Sequence, residues 1–248
     1  MSELVPGLFV VGTDTGVGKT RVAAGIARAM AREGRRVGVL KPVATGAVRD
    51  GDGWKVDDAE QLIAAVGGGV ETAEVCPIAL AEPLAPPVAA RRSGRLLYAD
   101  EIFGETLAAI RHWQAERGAE VMVVDGVGGL LCPLAEGITV ADLAVRVDYP
   151  LVIVARRGLG TLNHTLLTVE AALSRSLRVV GVILNGAEPT TDPIAEATNP
   201  SELARRLGPV PILAILSHEP GEAAASVVLS GVDWYNRAGR PRLPFPSM

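Results

Sequence analysis

Glycine, lysine and threonine crowd one short stretch of this chain, Gly12-Thr13-Asp14-Thr15-Gly16-Val17-Gly18-Lys19-Thr20. The spacing is that of G-x-x-x-x-G-K-[ST] with one residue more between the two outer glycines, a pattern in which backbone amides converge on phosphate oxygens. The preceding Leu8-Phe9-Val10-Val11 reads as a buried strand and the alanine-rich residues 20–32 as a helix, the context this pattern needs. The helix start adds free amides and partial positive charge, both favourable to an anion. Lys19 is expected to reach the β- and γ-phosphates, and the Thr20 hydroxyl to ligate Mg²⁺. The expectation is a nucleotide site contacted by Thr13, Asp14, Thr15, Gly16, Val17, Gly18, Lys19 and Thr20.

Three further side chains fall where such a site needs them. Asp125 ends the apolar run Val121-Met122-Val123-Val124, which puts a carboxylate at the C-terminal edge of a buried strand. Gly126, Gly128 and Gly129 follow and leave room for backbone to approach a ligand. Lys41 follows the run Val37-Gly38-Val39-Leu40, where it either faces the γ-phosphate or points to solvent from a strand end. Thr45 and Gly46 nearby supply a hydroxyl and a turn. Asp57 and Asp58 read equally well as helix caps and as a second metal carboxylate. Cys132 lies close by, but with no base to activate it the reading is a small buried hydrophobe.

The elements that must position these groups are short. Six apolar runs, at 8–11, 37–40, 121–124, 151–154, 179–184 and 210–216, lack polar alternation and suit strands buried on both faces. Between them, residues 20–32, 57–66, 99–116, 161–175 and 201–207 carry helical character. In the third of these, Ile102, Thr106, Ile110 and Trp113 share one stripe. The alternation predicts an α/β fold, a mostly parallel sheet with helices on both faces, P-loop NTPase-like. Residues 1–236 are expected to form one domain and 237–248 a C-terminal tail; residues 82–92 hold too many prolines for a regular element. Aromatics are only 4% and the net charge is −4, which weighs against a nucleic-acid or membrane partner. Residues 1–7 carry no basic leader and no apolar run is long enough to cross a bilayer, so a cytoplasmic protein is expected.

Taken together, the motifs resemble those of the ATP-dependent dethiobiotin synthetase family. The matching pieces begin with the phosphate loop, Lys41-Pro42-Val43-Ala44-Thr45-Gly46, Asp58-Ala59 and Glu82-Pro83-Leu84-Ala85-Pro86. They continue with Asp125-Gly126-Val127-Gly128-Gly129-Leu130-Leu131-Cys132-Pro133-Leu134 and Leu159-Gly160-Thr161-Leu162-Asn163-His164-Thr165-Leu166-Leu167-Thr168, and end at Gly181-Val182-Ile183-Leu184-Asn185. The resemblance implies a cyclo-ligase of biotin biosynthesis. It would close the ureido ring of dethiobiotin from 7,8-diaminononanoate, CO₂ and ATP with Mg²⁺, through a carbamate and a carbamic-phosphoric anhydride. It also implies a homodimer with the diamine site at the subunit interface. Carried over by residue, Lys41 and Lys19 would be catalytic, and Thr20, Asp58 and Asp125 metal-associated. Gly126, Val127 and Gly128 would join the nucleotide contacts, with Asn185, Gly186, Ile215, Leu216 and Ser217 near the adenine. Thr45 would touch substrate, and Gly160, Thr161, Leu162, Asn163 and His164 would meet its tail carboxylate at a helix start. His164 reads more readily as an ordinary interface or helix-cap histidine than as a direct substrate contact.

Four positions depart from the family pattern. Asp125 replaces a usual glutamate, Gly16 an often acidic residue, Pro87 a common histidine and Ser217 a usual proline. Two other readings follow from the same residues: another P-loop enzyme, such as an amidoligase or a partition-type ATPase, and a catalytically impaired nucleotide-dependent binding or regulatory protein. The partition-type reading wants a lysine early in the loop, where Thr13 and Asp14 stand.

Overall fold

The six apolar runs each become a strand of one parallel sheet in a computed structural model, which describes residues 3–189, 192–218 and 222–242. In chain order, β1 (Gly7–Gly12) leads into α1 (Lys19–Arg32), then β2 (Val37–Leu40). An excursion follows: β3 (Val43–Thr45), the hairpin of β4 (Val48–Asp50) and β5 (Gly53–Lys55), α2 (Asp57–Ala65), α3 (Thr72–Val75), β6 (Ile78–Leu80) and α4 (Pro86–Arg92). Next, α5 (Ala99–Ala115) returns the chain to β7 (Val121–Gly129), and β8 (Pro133–Ala135), β9 (Ile138–Thr139) and α6 (Val140–Val147) lead to β10 (Leu151–Arg156). The remainder is α7 (Thr161–Leu173), β11 (Val179–Asn185), α8 (Pro193–Arg206), β12 (Ile212–Leu216), α9 (Glu222–Ser230) and α10 (Trp234–Arg237).

The strand order is β12-β11-β10-β1-β7-β2, with every pairing parallel. All of β1 and β2, and β10 up to Ala155, are buried, so alternate residues on both faces of the sheet are covered. The chain leaves β1 for one side of the sheet and later returns to its other side. Such a reversal opens a crevice beyond the C-terminal ends of the strands. The phosphate loop leaves the end of β1, Lys41 follows β2, and Asn185 closes β11, all at that same edge.

Six helices differ from the sequence expectation: α3, α9 and α10 fall where none was predicted, and α4, α6 and α8 differ for readable reasons. Residues 86–92 form α4 despite two prolines, because Pro86 and Pro87 occupy the first turn, where amide donors have no intrahelical partner. Helix α8 begins at Pro193 rather than at residue 201, started by Asp192, whose carboxylate accepts from the Ala195 amide at 2.9 Å. Helix α6 was not anticipated; Thr139 and Asp142 cap it reciprocally.

The expected tail is docked through Arg242. Arg237 ends α10, Gly239 bridges Gly7 by two backbone bonds of 3.0 and 3.1 Å, and Arg242 Nη2 reaches Asp148 Oδ1 at 2.8 Å. Residues 243–248 lie outside the described residues. Among the described residues no helix is long and apolar enough to cross a membrane.

Candidate active site

Five of the expected side chains, Lys19, Thr20, Lys41, Asp58 and Asp125, meet in one cluster. Lys41 Nζ lies 2.8 Å from Asp125 Oδ2, 2.5 Å from Asp58 Oδ2 and 2.9 Å from the Gly126 carbonyl. The Thr20 hydroxyl donates to Asp125 Oδ2 at 2.6 Å, and Lys19 Nζ stands 3.6 Å from Asp125 Oδ1. Asp125 is fully buried and Lys41 only 1% exposed, so these charges interact in a poorly screened setting. Burial works against the Lys41 charge, but Asp125 and then Asp58 outweigh it and hold the ammonium above its ordinary range. For Lys19 burial wins, and its pKa is pushed down despite Asp125. Asp58 is also opposed by burial, yet Lys41 brings its carboxyl below the usual value.

Local structure explains each placement. Lys41 is the first residue past β2, and its backbone amide is held by the Val75 carbonyl at 2.7 Å. Asp57 and Asp58 both sit in the first turn of α2, but Asp57 is exposed whereas Asp58 turns onto Lys41. Of the two, Asp58 is the one that reaches the lysine cluster. Gly126 is closely packed: a Cβ there would lie 3.2 Å from the Phe9 ring and the Val10 carbonyl.

One buried oxygen of this cluster lacks a hydrogen bond, with only the more distant Lys19 ammonium near it. Asp125 Oδ1 accepts no hydrogen bond, although the Thr20 hydroxyl sits on its sister oxygen. An octahedral, oxygen-seeking cation such as Mg²⁺ takes one or two carboxylates, a hydroxyl and phosphate oxygens, so Thr20, Asp58 and Asp125 fit it. Among the described residues no three His, Cys, Asp or Glu side chains cluster for a metal, so phosphate would have to complete the shell.

A cavity of about 450 Å³ opens beside this cluster, lined by Gly16, Gly18, Lys19, Thr20, Lys41, Thr45, Asp58, Val127 and Gly128 among others. A second, of about 180 Å³, lies past Gly16 and includes Asn185 and Gly186. A third, of about 330 Å³, is bounded by Thr13, Asp14, Thr15, Leu131, Cys132 and Leu167. Ile215 and Leu216 end β12 beside Asn185, with Ser217 just past it; the Gly186 amide donates to the Leu216 carbonyl at 2.8 Å. Ile215 and Ser217 are exposed, whereas Leu216 is buried.

The residues from Gly160 to His164 do not join the lysine cavity. Gly160 caps α7 in the left-handed region (φ 88°) and is exposed, as are Asn163 and His164. Leu162 is half-buried, and the Thr161 hydroxyl is already given to the Arg156 carbonyl at 2.6 Å. Cys132 is half-buried at a cavity wall rather than fully buried, and burial pushes its thiol up, away from thiolate character.

Arg156 was missed by the sequence reading. It ends β10, and its Nη2 spans to Asp14 Oδ2 at 3.3 Å, bracing the tip of the phosphate loop. The available signal was its place after an apolar run, the same signal that marked Lys41 and Asp125.

Comparison with known proteins adds an independent line. A family model described as an AAA domain matches residues 6–225. The ATP-dependent dethiobiotin synthetase BioD of Anaeromyxobacter dehalogenans (strain 2CP-C) is 42% identical over 226 residues, covering 91% of this chain and 96% of that relative. The synthetase of the same name from Bacillus licheniformis is 38% identical over 216 residues, covering 84% of each. Among solved structures, the cell division ATPase MinD of Pyrococcus furiosus aligns at TM-score 0.51 and 16% identity, covering 92% of this chain and 98% of its own. MinD of Pyrococcus horikoshii OT3, complexed with Mg-ADP, aligns at 0.51 and 15%, covering 92% and 94%. Likeness at that identity concerns the fold alone. The relatives, in contrast, match nearly end to end, and the chain belongs to the ATP-dependent dethiobiotin synthetase family.

Proposed function

We propose that this protein closes the ureido ring of dethiobiotin from 7,8-diaminononanoate, CO₂ and ATP. The observation that carries the reading is two lysines of opposite pKa tendency meeting over one buried carboxylate at a phosphate loop. The substrate is itself the nucleophile, so no activated serine or cysteine is required; Cys76 has its thiol pushed up to about 12 by burial.

The steps follow from charge. One substrate amine takes up CO₂ as a carbamate and loses a proton to solvent. Lys41, buried and held charged, offsets the carbamate's negative charge as its oxygen approaches the γ-phosphorus. The new O–P bond forms as the bond to the β,γ-bridging oxygen breaks, and ADP leaves. Lys19, at the helix start, offsets charge on the β- and γ-oxygens. The second amine then attacks the carbamic carbon, its C–O bond to phosphate breaks, and the amine's proton leaves with phosphate or solvent. Mg²⁺, which Thr20, Asp58 and Asp125 would hold, supplies Lewis-acid neutralisation of the phosphates when bound.

The remaining assignments belong to the same reading. Thr13 to Thr20, with Gly126, Val127 and Gly128, receive the triphosphate, and Asn185, Gly186 and residues 215–217 the adenine. Thr45 contacts the diamine end of the substrate. Gly160 to His164 of a partner subunit receive its carboxylate; that they stand outside the lysine cavity supports a contribution from a second copy in a homodimer. A biosynthetic ligase drawing on ATP belongs in the cytoplasm.

The test is direct. Protein, Mg-ATP and bicarbonate are incubated with and without 7,8-diaminononanoate, and ADP and dethiobiotin are followed by mass spectrometry. Diamine-dependent ADP release with a matching yield of dethiobiotin is expected. Background release in both mixtures sinks the reading and favours the nucleotide-dependent binding protein.

A further inference from the structure

Asn185 does more than line a cavity. Its Nδ2 donates to the Val17 carbonyl at 2.8 Å, tying the end of β11 to the phosphate loop past the intervening β10. The residue is fully buried, and its Oδ1 has no hydrogen-bond partner. The amide orientation is fixed, because the reverse would set Oδ1 against the Val17 carbonyl oxygen. The fit is tight: a Cβ on Gly18 would lie 2.1 Å from Nδ2. Glycine at 18 therefore satisfies two demands, a φ of 79° and the seat of the Asn185 amide.

The consequence follows from peptide geometry. In a planar trans peptide, the C=O of one residue and the N–H of the next point in opposite directions. Holding the Val17 carbonyl toward Asn185 aims the Gly18 N–H away from it. A phosphate-binding loop needs its carbonyls turned outward so that its amides face the anion. We propose that Asn185 is a positioning strut of the phosphate loop, setting the Gly18 amide for phosphate independently of any contact with a base. The proposal rests on the phosphate-loop reading above and adds a role that a base contact alone does not give.

Inorganic tripolyphosphate separates the two roles, because it has no base. Its binding and that of ATP to the full chain are measured by calorimetry for the wild type and Asn185→Ala, alongside the melting temperature. One lost hydrogen bond predicts tripolyphosphate binding weakened about tenfold, with ATP weakened at least as much. Tripolyphosphate affinity kept within about twofold overturns the strut, whether ATP binding or the melting temperature falls or not. Wild-type protein that ignores tripolyphosphate overturns it too, since the loop then has no affinity of its own to set. Failure of the wild type to bind ATP as well takes the phosphate-loop reading down with it. Should Asn185→Ala not fold, Asn185→Ser, too short to span to Val17, carries the same prediction. In parallel, Gly18→Ala should cost less melting temperature in the Asn185→Ala background than alone, because the clash is gone; simple addition of the two losses overturns the contact.

Discussion

Lys41 holds two carboxylates and a carbonyl at once, so its removal has two separable effects. Lys41→Ala should lower kcat by about 10²–10³ while changing ATP affinity only a few-fold, by analogy with loss of one preorganised charge-stabilising donor. Steady-state kinetics beside calorimetry checks this, and preserved turnover would remove the assigned role. The same change strips buried Asp125 of an ammonium; removing one partner of a buried pair typically costs about 3–5 kcal/mol, and Lys19 at 3.6 Å offsets part of that. Much of this cluster was legible beforehand. Lys19 and Thr20 sit in a motif, and Lys41 and Asp125 follow apolar runs that had to end at one sheet edge. Asp58 was not separable from Asp57, because an acid in the first turn of a helix satisfies either role. The Asn185–Val17 bond was invisible, since nothing local marks two residues far apart in the chain as neighbours.

Among the elements, the link between α3 and α5 is electrostatic. Glu74 of α3 accepts from Arg117 at 2.6 and 3.0 Å and meets His112 at 2.7 Å. The Arg117 bonds, followed by His112 and against a burial effect, lower the Glu74 carboxyl to about 2. A depressed carboxylate stabilises the fold above its unfolded pKa, and that contribution fades as pH falls from the ordinary carboxylate range toward about 2. Glu74→Gln should therefore be less stable than wild type at pH 7 but lose less on acidification, as urea midpoints at pH 7 and pH 3 will show. Matching acid slopes would remove this link from the account. Element legibility followed side-chain type. Uninterrupted β-branched runs announced the six sheet strands, whereas the prolines of α4 read as breakers although they occupy the one turn that tolerates them. Helix α6 has only eight residues, too short for its periodicity to stand out, but the capping pair Thr139 and Asp142 was there to be read.

For the whole molecule, the apolar surface near α7 is the feature that a lone chain leaves unused. Leu159 is 81% exposed, Leu167 56% and Leu173 50%, and Leu167 borders the cavity next to the phosphate loop. If a second copy covers this face, a two-fold interface counts each residue twice. Leu167→Asp should then weaken the dimer at least about a hundredfold and raise KM for the diamine more than for ATP. Sedimentation velocity and kinetics together decide it; an unchanged monomer–dimer equilibrium would exclude Leu167 from the contact. The parallel sheet has a different implication, for the order in which the molecule is made. Val17 and Asn185 lie 168 positions apart in the chain, so the ribosome releases the phosphate loop long before the residue that braces it. Long-range pairings of this kind form late and slowly. A nascent chain thus carries the loop without its brace until β11 docks, so a ligand of the finished loop would stabilise the folded protein rather than guide its early folding.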